Sequence, residues 1–260
     1  LVSYLCFLYI IQADIRVGLV FANYQTRENH SFKRKKTVLF RLSGERLMKK
    51  VSKLAVGIAL VTCGLASASA FAEVSYNAGF ASEYYFRGIL QKAASASAGV
   101  TLTENGFFAG GWTGDVGDGL EVDGFFGYGI TSGDFTASAG MTGYYYTGQF
   151  DDTYQEFNLK AGYKILSVEY SNGEYDGFGT PADYDFLGLT LSQSGFHGTF
   201  GSSGKDFAGD YFEVGYDTSI SEIDFGLDVI FSSDELSDQL DSSGKPDASQ
   251  ALVFTVSKTW

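Results

Sequence analysis

Cysteine is scarce in this chain and badly placed to hold a fold together. Only Cys6 and Cys63 occur, and both precede residue 73. Everything after Ala72 must therefore fold without disulfides. Proline is nearly as rare, with Pro181 and Pro246 the only two. Basic residues are also few beyond that point. Of 18 Lys and Arg, 11 lie in residues 1–72, leaving 7 against 28 Asp and Glu, a net charge of −21. A surface that acidic repels phosphate, so nucleic acid is excluded as a partner. Long apolar runs are missing as well. The run Leu54 to Leu65 is too short to span a bilayer as a stable helix.

Catalytic residue patterns are sparse too. His197 is the only histidine after Ala72, with Thr199 two residues on as the one hydroxyl that could serve it. No Gly-x-Ser-x-Gly, second histidine or cysteine accompanies them, so no enzyme and no catalytic residue is expected. Asp234, Glu235, Asp238, Asp241 and Asp247 crowd one stretch and offer oxygens to calcium. A solvated acidic loop is the plainer reading, and neither metal nor cofactor is expected.

The first 72 residues divide in two. From Met48, the basic Lys49-Lys50-Val51-Ser52-Lys53 leads into the apolar run and then Ala66-Ser67-Ala68-Ser69-Ala70-Phe71-Ala72. A basic start, a short apolar run and an Ala-x-Ala end at Ala70 and Ala72 read as a secretory signal peptide, 48–72, with Glu73 as the mature N-terminus. Acylation at Cys63 is disfavoured because Thr62 is bulky for that position. Residues 1–47 precede that signal, and the expectation is that they are upstream sequence translated from too early a start. The codons of Ser43-Gly44-Glu45-Arg46 can be purine-rich, like a ribosome-binding site ahead of Met48. A genuine N-terminal extension is the other reading. The cluster Lys33-Arg34-Lys35-Lys36 resembles a nuclear-localisation patch, which a secretory signal argues against.

What residues 73–260 do have is alternation. The chain carries 33 Gly, 17 Tyr and 23 Phe. Runs of about ten residues alternate apolar with small or polar, broken by Gly, Asp, Asn and Ser, and no stretch shows a helical period. The last run is the clearest. Leu252, Phe254, Val256 and Trp260 share one face, and Thr255, Ser257 and Thr259 the other. A strand ending on an aromatic residue looks like the closing strand of an outer-membrane barrel, where those four residues would signal to the barrel-assembly machinery.

Further apolar faces follow up the chain. Strand one carries Val74, Tyr76, Ala78, Phe80, Tyr84 and Phe86; strand three carries Phe108 and Trp112. Strand four has Leu120, Val122, Phe126, Tyr128 and Ile130, strand six Phe157, Leu159, Ala161 and Tyr163, and strand eight Leu187, Leu189 and Leu191. Connections sort by length. Glu104-Asn105, Ser132-Gly133, Lys164-Ile165, Gln193-Ser194 and Ser221-Glu222 are tight. Longer loops are expected around Gln91 and over 114–119, 148–153, 172–183, 202–210 and 232–249. The fold class is all-β: a transmembrane antiparallel up-and-down β-barrel of about 12 strands, 73–260, with both ends in the periplasm.

The opposite face collects the charges: Glu83, Arg87, Asp115, Glu121, Asp123, Glu156, Lys160, Lys164, Glu169, Glu213, Asp217, Asp224 and Asp228. In lipid they would be costly, but in a wet lumen they are tolerated. Acids outnumber bases, so a pore should prefer cations. Tyr85, Phe125, Tyr144 and Tyr146 share that face and could fill the barrel, so an open and a plugged lumen both remain.

Ser82-Glu83-Tyr84-Tyr85-Phe86-Arg87-Gly88-Ile89-Leu90-Gln91 resembles the first hairpin of the TorF family of porins from Gram-negative bacteria. Gly106 to Trp112 and the closing Ser257-Lys258-Thr259-Trp260 are similar as well. Leu90 stands where that family has a small hydroxyl residue, and Trp260 where it ends on Phe. The resemblance implies an outer-membrane location among lipid and lipopolysaccharide, and a pore. Within it, Arg87 beside Glu83 would latch the first hairpin, with Gly88 permitting the turn. Together these readings lead to a porin for passive diffusion of small hydrophilic solutes or cations. The alternative is a closed structural or adhesion barrel acting through its outer loops.

Overall fold

A computed structural model describes residues 73–260. The expected extension 1–47, the signal 48–72 and its cleavage at Ala70 and Ala72 lie outside the described residues. Twelve strands follow one another: β1 (Glu73–Phe86), β2 (Ile89–Glu104), β3 (Phe107–Gly117), β4 (Gly119–Ser132), β5 (Phe135–Tyr146), β6 (Tyr154–Tyr163), β7 (Leu166–Tyr175), β8 (Ala182–Gln193), β9 (Phe196–Lys205), β10 (Gly209–Ile220), β11 (Ile223–Ser232) and β12 (Ser249–Thr259). Each pairs antiparallel with the next, and β12 pairs back onto β1, closing a barrel. The seam puts Ala78 opposite Lys258 and Phe80 opposite Val256. Tyr76 and Trp260 exchange backbone hydrogen bonds of 3.0 and 2.9 Å, so the seam is stitched to the last residue. The only helical pieces described are the 3-10 turns Gly177–Gly179 and Asp234–Leu236.

Burial is inverted relative to a soluble domain. Leu159 and Leu191 are 43% and 55% exposed, while Glu156 is 2% exposed. Side chains alternate across a strand, so a closed sheet sends one set out and the other in. Here the apolar set is outside. Phe126, Tyr128 and Ile130 of β4, Phe157 and Tyr163 of β6, Leu187 and Leu189 of β8, and Leu252 and Phe254 of β12 are all among the exposed large hydrophobic residues. Closure pairs the first strand with the last from Asn77↔Thr259 to Ala81↔Thr255, the kind of edge pairing that hydrocarbon demands of a spanning structure.

Two register expectations fail. Phe108 and Trp112 point inward, because β3 presents Phe107 to the lipid side, opposite Tyr128 with ring centroids 4.8 Å apart. Phe107 and Phe108 are adjacent and equally apolar, so alternation alone could not choose between them. In β1 the order of faces switches above Phe80. Tyr84 and Phe86 turn inward, and Tyr85 takes the other face, opposite Leu90. The switch falls where β1 ends its pairing with β12 at Ala81 and where Ala94 of the facing β2 has φ of 59°.

The connections also differ in part. At the end carrying both described termini, the five links are two-residue turns: Asn105-Gly106, Gly133-Asp134, Lys164-Ile165, Ser194-Gly195 and Ser221-Glu222. Three sit one residue later than expected. At the other end, segments 147–153, 176–181 and 233–248 are longer, and 206–208 is short. The loop expected around Gln91 is absent. Arg87-Gly88 closes β1 onto β2 directly, and β2 runs through Gln91; Asp118 alone joins β3 to β4.

The lipid-facing register predicts an asymmetry between neighbouring positions. Leu187→Arg should lower the unfolding free energy by about 2–4 kcal/mol in lipid vesicles, and Thr190→Arg, facing the lumen, by much less. Equilibrium denaturant titration of the two variants measures it, and equal losses would contradict the register.

Candidate functional site

The tip of the β1–β2 hairpin folds into the barrel. Arg87 and Gly88 have φ of 49° and 80°, the paired positive values of a tight hairpin turn. Arginine is an unfavoured residue there. Gly88 has no substitute, since a Cβ would strike the Tyr211 side chain of β10. Its carbonyl accepts the Ser232 hydroxyl of β11 at 2.5 Å. A turn belonging to β1 and β2 thus touches β10 and β11, strands with which neither pairs.

Arg87 carries the crossing. Its Nη1 donates to Glu156 Oε2 at 2.9 Å and its Nη2 to Glu156 Oε1 at 3.0 Å, a two-pronged pair reaching β6. Nη2 also donates to Glu169 Oε1 and Ser171 Oγ of β7, both at 2.9 Å. The guanidinium lies 4.2 Å from the Phe186 ring centroid of β8 and 4.9 Å from that of Phe86. Planar geometry suits arginine to this combined bidentate and stacked setting. Glu156 is saturated in turn. It also accepts Tyr144 at 2.7 Å, Asn158 at 2.6 Å and Tyr184 at 3.1 Å. A buried ion pair is tolerable when every remaining lone pair finds a donor, as here.

Tyrosines pack the lumen above this cage. Tyr154 stacks on Tyr175 at 4.3 Å, and Tyr184 and Phe207 pack edge-on against them. Tyr84 donates to Glu121 at 3.1 Å and rests on Trp112. Beside the cage lies a cavity of about 520 Å³, whose lining includes Arg87, Phe108, Phe125, Glu156, Lys160 and Glu169. The hairpin tip therefore bars the end with the longer loops, and hollow space remains within the barrel.

The expected lumen residues divide. Glu121, Asp123, Glu156, Lys160, Glu169, Glu213, Asp217, Asp224 and Asp228 share the inward face of their strands, and Arg87 reaches the lumen from the turn. Lys160 pairs with Glu169 at 2.9 Å, so that acid bridges two cations. Asp123 Oδ1 is buried without a hydrogen-bond partner among the described residues. Three residues sit elsewhere. Glu83 falls on the hairpin face opposite Tyr84 and Phe86, and the Arg87 partners are Glu156 and Glu169 in its place. Asp115 stands in register with the outward Leu120 and pairs with Lys92 at the β3–β4 turn. Lys164 lies in the β6–β7 turn, its Nζ 5.3 Å from the Tyr163 ring. A two-residue periodicity cannot see bulges or turn boundaries, and these three lie beside one or the other.

The acidic loop 233–248 ties itself together. Asp241 accepts the backbone N–H groups of Lys245 and Ser243 at 2.9 and 2.8 Å, and these hold its carboxyl below the usual carboxylate range. Thr199 pairs with Thr190 at 3.0 Å. His197 is surrounded by acids: Nε2 lies 3.0 Å from Asp228 and 3.5 Å from Glu213, and Nδ1 lies 3.2 Å from Asp217. Sequence reasoning found these acids one by one but not their convergence. It also missed Ser171 and Phe186 beside Arg87, Asn158 and Tyr184 on Glu156, and Tyr211 against Gly88, which only strand pairing brings together.

A family model described as "Bacterial protein of unknown function (Gcw_chp)" matches residues 65–193, a span that includes the inserted hairpin and both of its carboxylate partners. No curated protein sequence matches the chain. Solved structures similar to it include one reported in work on in-meso crystallisation of membrane proteins, with 8% identity, a TM-score of 0.48 and coverage of 72% of this chain and 83% of that one. The outer membrane protein OpdK of Pseudomonas aeruginosa aligns with 13% identity, a TM-score of 0.35 and coverage of 65% and 58%. The present chain thus spans less than two thirds of OpdK. OccK2 (OpdF) of the same organism, solved with glucuronate, aligns with 12% identity, a TM-score of 0.38 and coverage of 74% and 68%. The geometry above stands apart from these likenesses: a sealed antiparallel cylinder, apolar outside and polar within, is a barrel of the bacterial outer membrane.

Unpaired halves of the Arg87–Glu156 bridge should cost more than its complete removal. Arg87→Met leaves a buried carboxylate and is expected to destabilise by about 3–5 kcal/mol, whereas Arg87→Met with Glu156→Leu recovers much of that loss. Denaturant titration of both in vesicles checks the order.

Proposed function

We propose that the protein is an outer-membrane channel for small hydrophilic solutes, with a preference for cations, and that the inserted hairpin is its constriction. The observation that carries this reading is the Arg87 crossing from β1–β2 to β6, β7 and β8. Its polar contacts are of a kind that water can replace, unlike a packed apolar plug. A closing element drawn from the wall and held by a few charge-assisted bonds is one that can move.

Cation preference follows from the lumen inventory. Glu121, Asp123, Glu156, Glu169, Glu213, Asp217, Asp224 and Asp228 face inward against Arg87 and Lys160. Rings of acid repel anions and draw cations into a pore. The likeness of Ser82 to Gln91 to TorF-family porins supports a pore as well, and the inserted tip is that same segment. Outside, Leu252, Phe254 and Trp260 are exposed along the closing strand with Val256 half-buried between them, a rib suited to the barrel-assembly machinery. The apolar belt suits lipid and lipopolysaccharide.

The second reading, a closed barrel working through its outer loops, draws on the tyrosine cluster of Tyr154, Tyr175, Tyr184 and Phe207. Planar-bilayer recording separates the two. The wild type should show small cation-selective steps. Arg87→Ala should raise conductance or open probability severalfold, and Asp228→Asn should move the reversal potential under a KCl gradient toward zero. Silence from both wild type and Arg87→Ala would leave only the closed barrel.

A further inference from the structure

We propose that His197, Glu213 and Asp228 form a site on the lumen wall for one divalent transition-metal cation of the zinc type. Strand register brings them together. His197 of β9 stands opposite Gly215 of β10, which stands opposite Asp228 of β11, so the three lie in one row across the wall. Glu213 and Asp217 flank Gly215 on the same inward face of β10.

Both donor separations from His197 fit an ion. His197 Nε2 is 3.0 Å from Asp228 Oδ1 and 3.5 Å from Glu213 Oε1. One donor atom from each of the three lies within 4.8 Å of the others. Donors held at about 2.1 Å from one ion stand about 3.0 Å apart at a right angle and about 3.4 Å apart at the tetrahedral angle. Gly215 keeps the middle of the row clear, since a Cβ there would run into both Asp228 Oδ1 and His197 Nε2.

Asp217 completes the arrangement. Its Oδ2 lies 3.2 Å from His197 Nδ1, placed to accept the Nδ1 proton. That hydrogen bond fixes the tautomer in which Nε2 carries a lone pair, as a carboxylate behind a ligating histidine does. Nε2 and Asp228 Oδ1 are then two acceptors facing each other at 3.0 Å, and Oδ1 is buried with no hydrogen-bond partner among the described residues. Such a contact needs a cation between its atoms. A proton on Nε2 would serve for two of the three donors, whereas a divalent metal serves all three. Imidazole with two carboxylates suits zinc, cobalt or manganese better than calcium or magnesium. Three protein ligands leave positions for water, so the ion can exchange with the lumen.

The site does not depend on whether the barrel conducts, so binding is read directly. The full chain, extracted in detergent and stripped with chelator, is titrated with ZnCl2 by calorimetry and with CoCl2 by visible absorption. The expected result is about one ion per chain, with a cobalt spectrum of mixed nitrogen and oxygen ligands. His197→Ala should abolish that spectrum, and Asp228→Asn and Glu213→Gln should each weaken zinc binding at least tenfold. Asp217→Asn should weaken it by about 10–100-fold with the one-to-one ratio kept. Gly215→Ala should weaken it with all three ligands present. Folding of each variant is confirmed by the heat-dependent electrophoretic mobility of the barrel. Absence of saturable binding in the wild type, or wild-type binding in folded His197→Ala or Asp228→Asn, overturns the site. Bilayer currents recorded in chelator test the channel separately, so normal currents without zinc binding would sink the site alone.

Discussion

The whole structure depends on one pairing, that of the last strand with the first. Lipid offers no hydrogen bonds, so a sheet can cross it only by satisfying its own edges. β12 does this by pairing with β1 up to the exchange between Tyr76 and Trp260. Once the cylinder is closed, inside and outside become distinct, and every alternating strand must choose. Leu goes to hydrocarbon, Phe and Tyr go to both sides, and most of the strand Asp and Glu named above are confined to a polar interior.

That confinement sets up the second interaction. An acidic interior attracts a cation, and the chain supplies one at the tip of its first hairpin. Arg87 satisfies Glu156 and Glu169 at once, with Ser171 beside them, and Phe186 packs against its flat face. The unfavoured backbone at Arg87 is held by these bonds and by the hold of Ser232 on Gly88. The same acidity on the β9–β11 wall leaves His197 among three carboxylates. The excess of acid is thus met by a built-in guanidinium on one side and by an imidazole on the other.

Much of the architecture was legible in the residues, and for a physical reason. Period-two alternation is a local property, and lipid enforces it strongly, so most lipid-facing positions of β4, β6, β8 and β12 could be read directly. The strand number followed from counting such runs. Where the reading failed, the local signal was degenerate or broken. Phe107 and Phe108 are interchangeable to a pattern, and the faces of Tyr84 to Phe86 reverse where β1 leaves its pairing with β12, with no mark in composition. The shortness of the first outer connection was hidden as well, because β1 and β2 continue past the point where a loop would begin.

The sequence by itself determined that this is a closed, lipid-facing β-structure with an acidic inside, because alternation and charge are carried residue by residue. Only the tertiary structure decided what those charges do. Arg87 and Glu156 are 69 positions apart, and His197, Gly215 and Asp228 meet through strand register alone. Partnership across a lumen is set by barrel size and strand stagger, neither of which is written in any one stretch of chain.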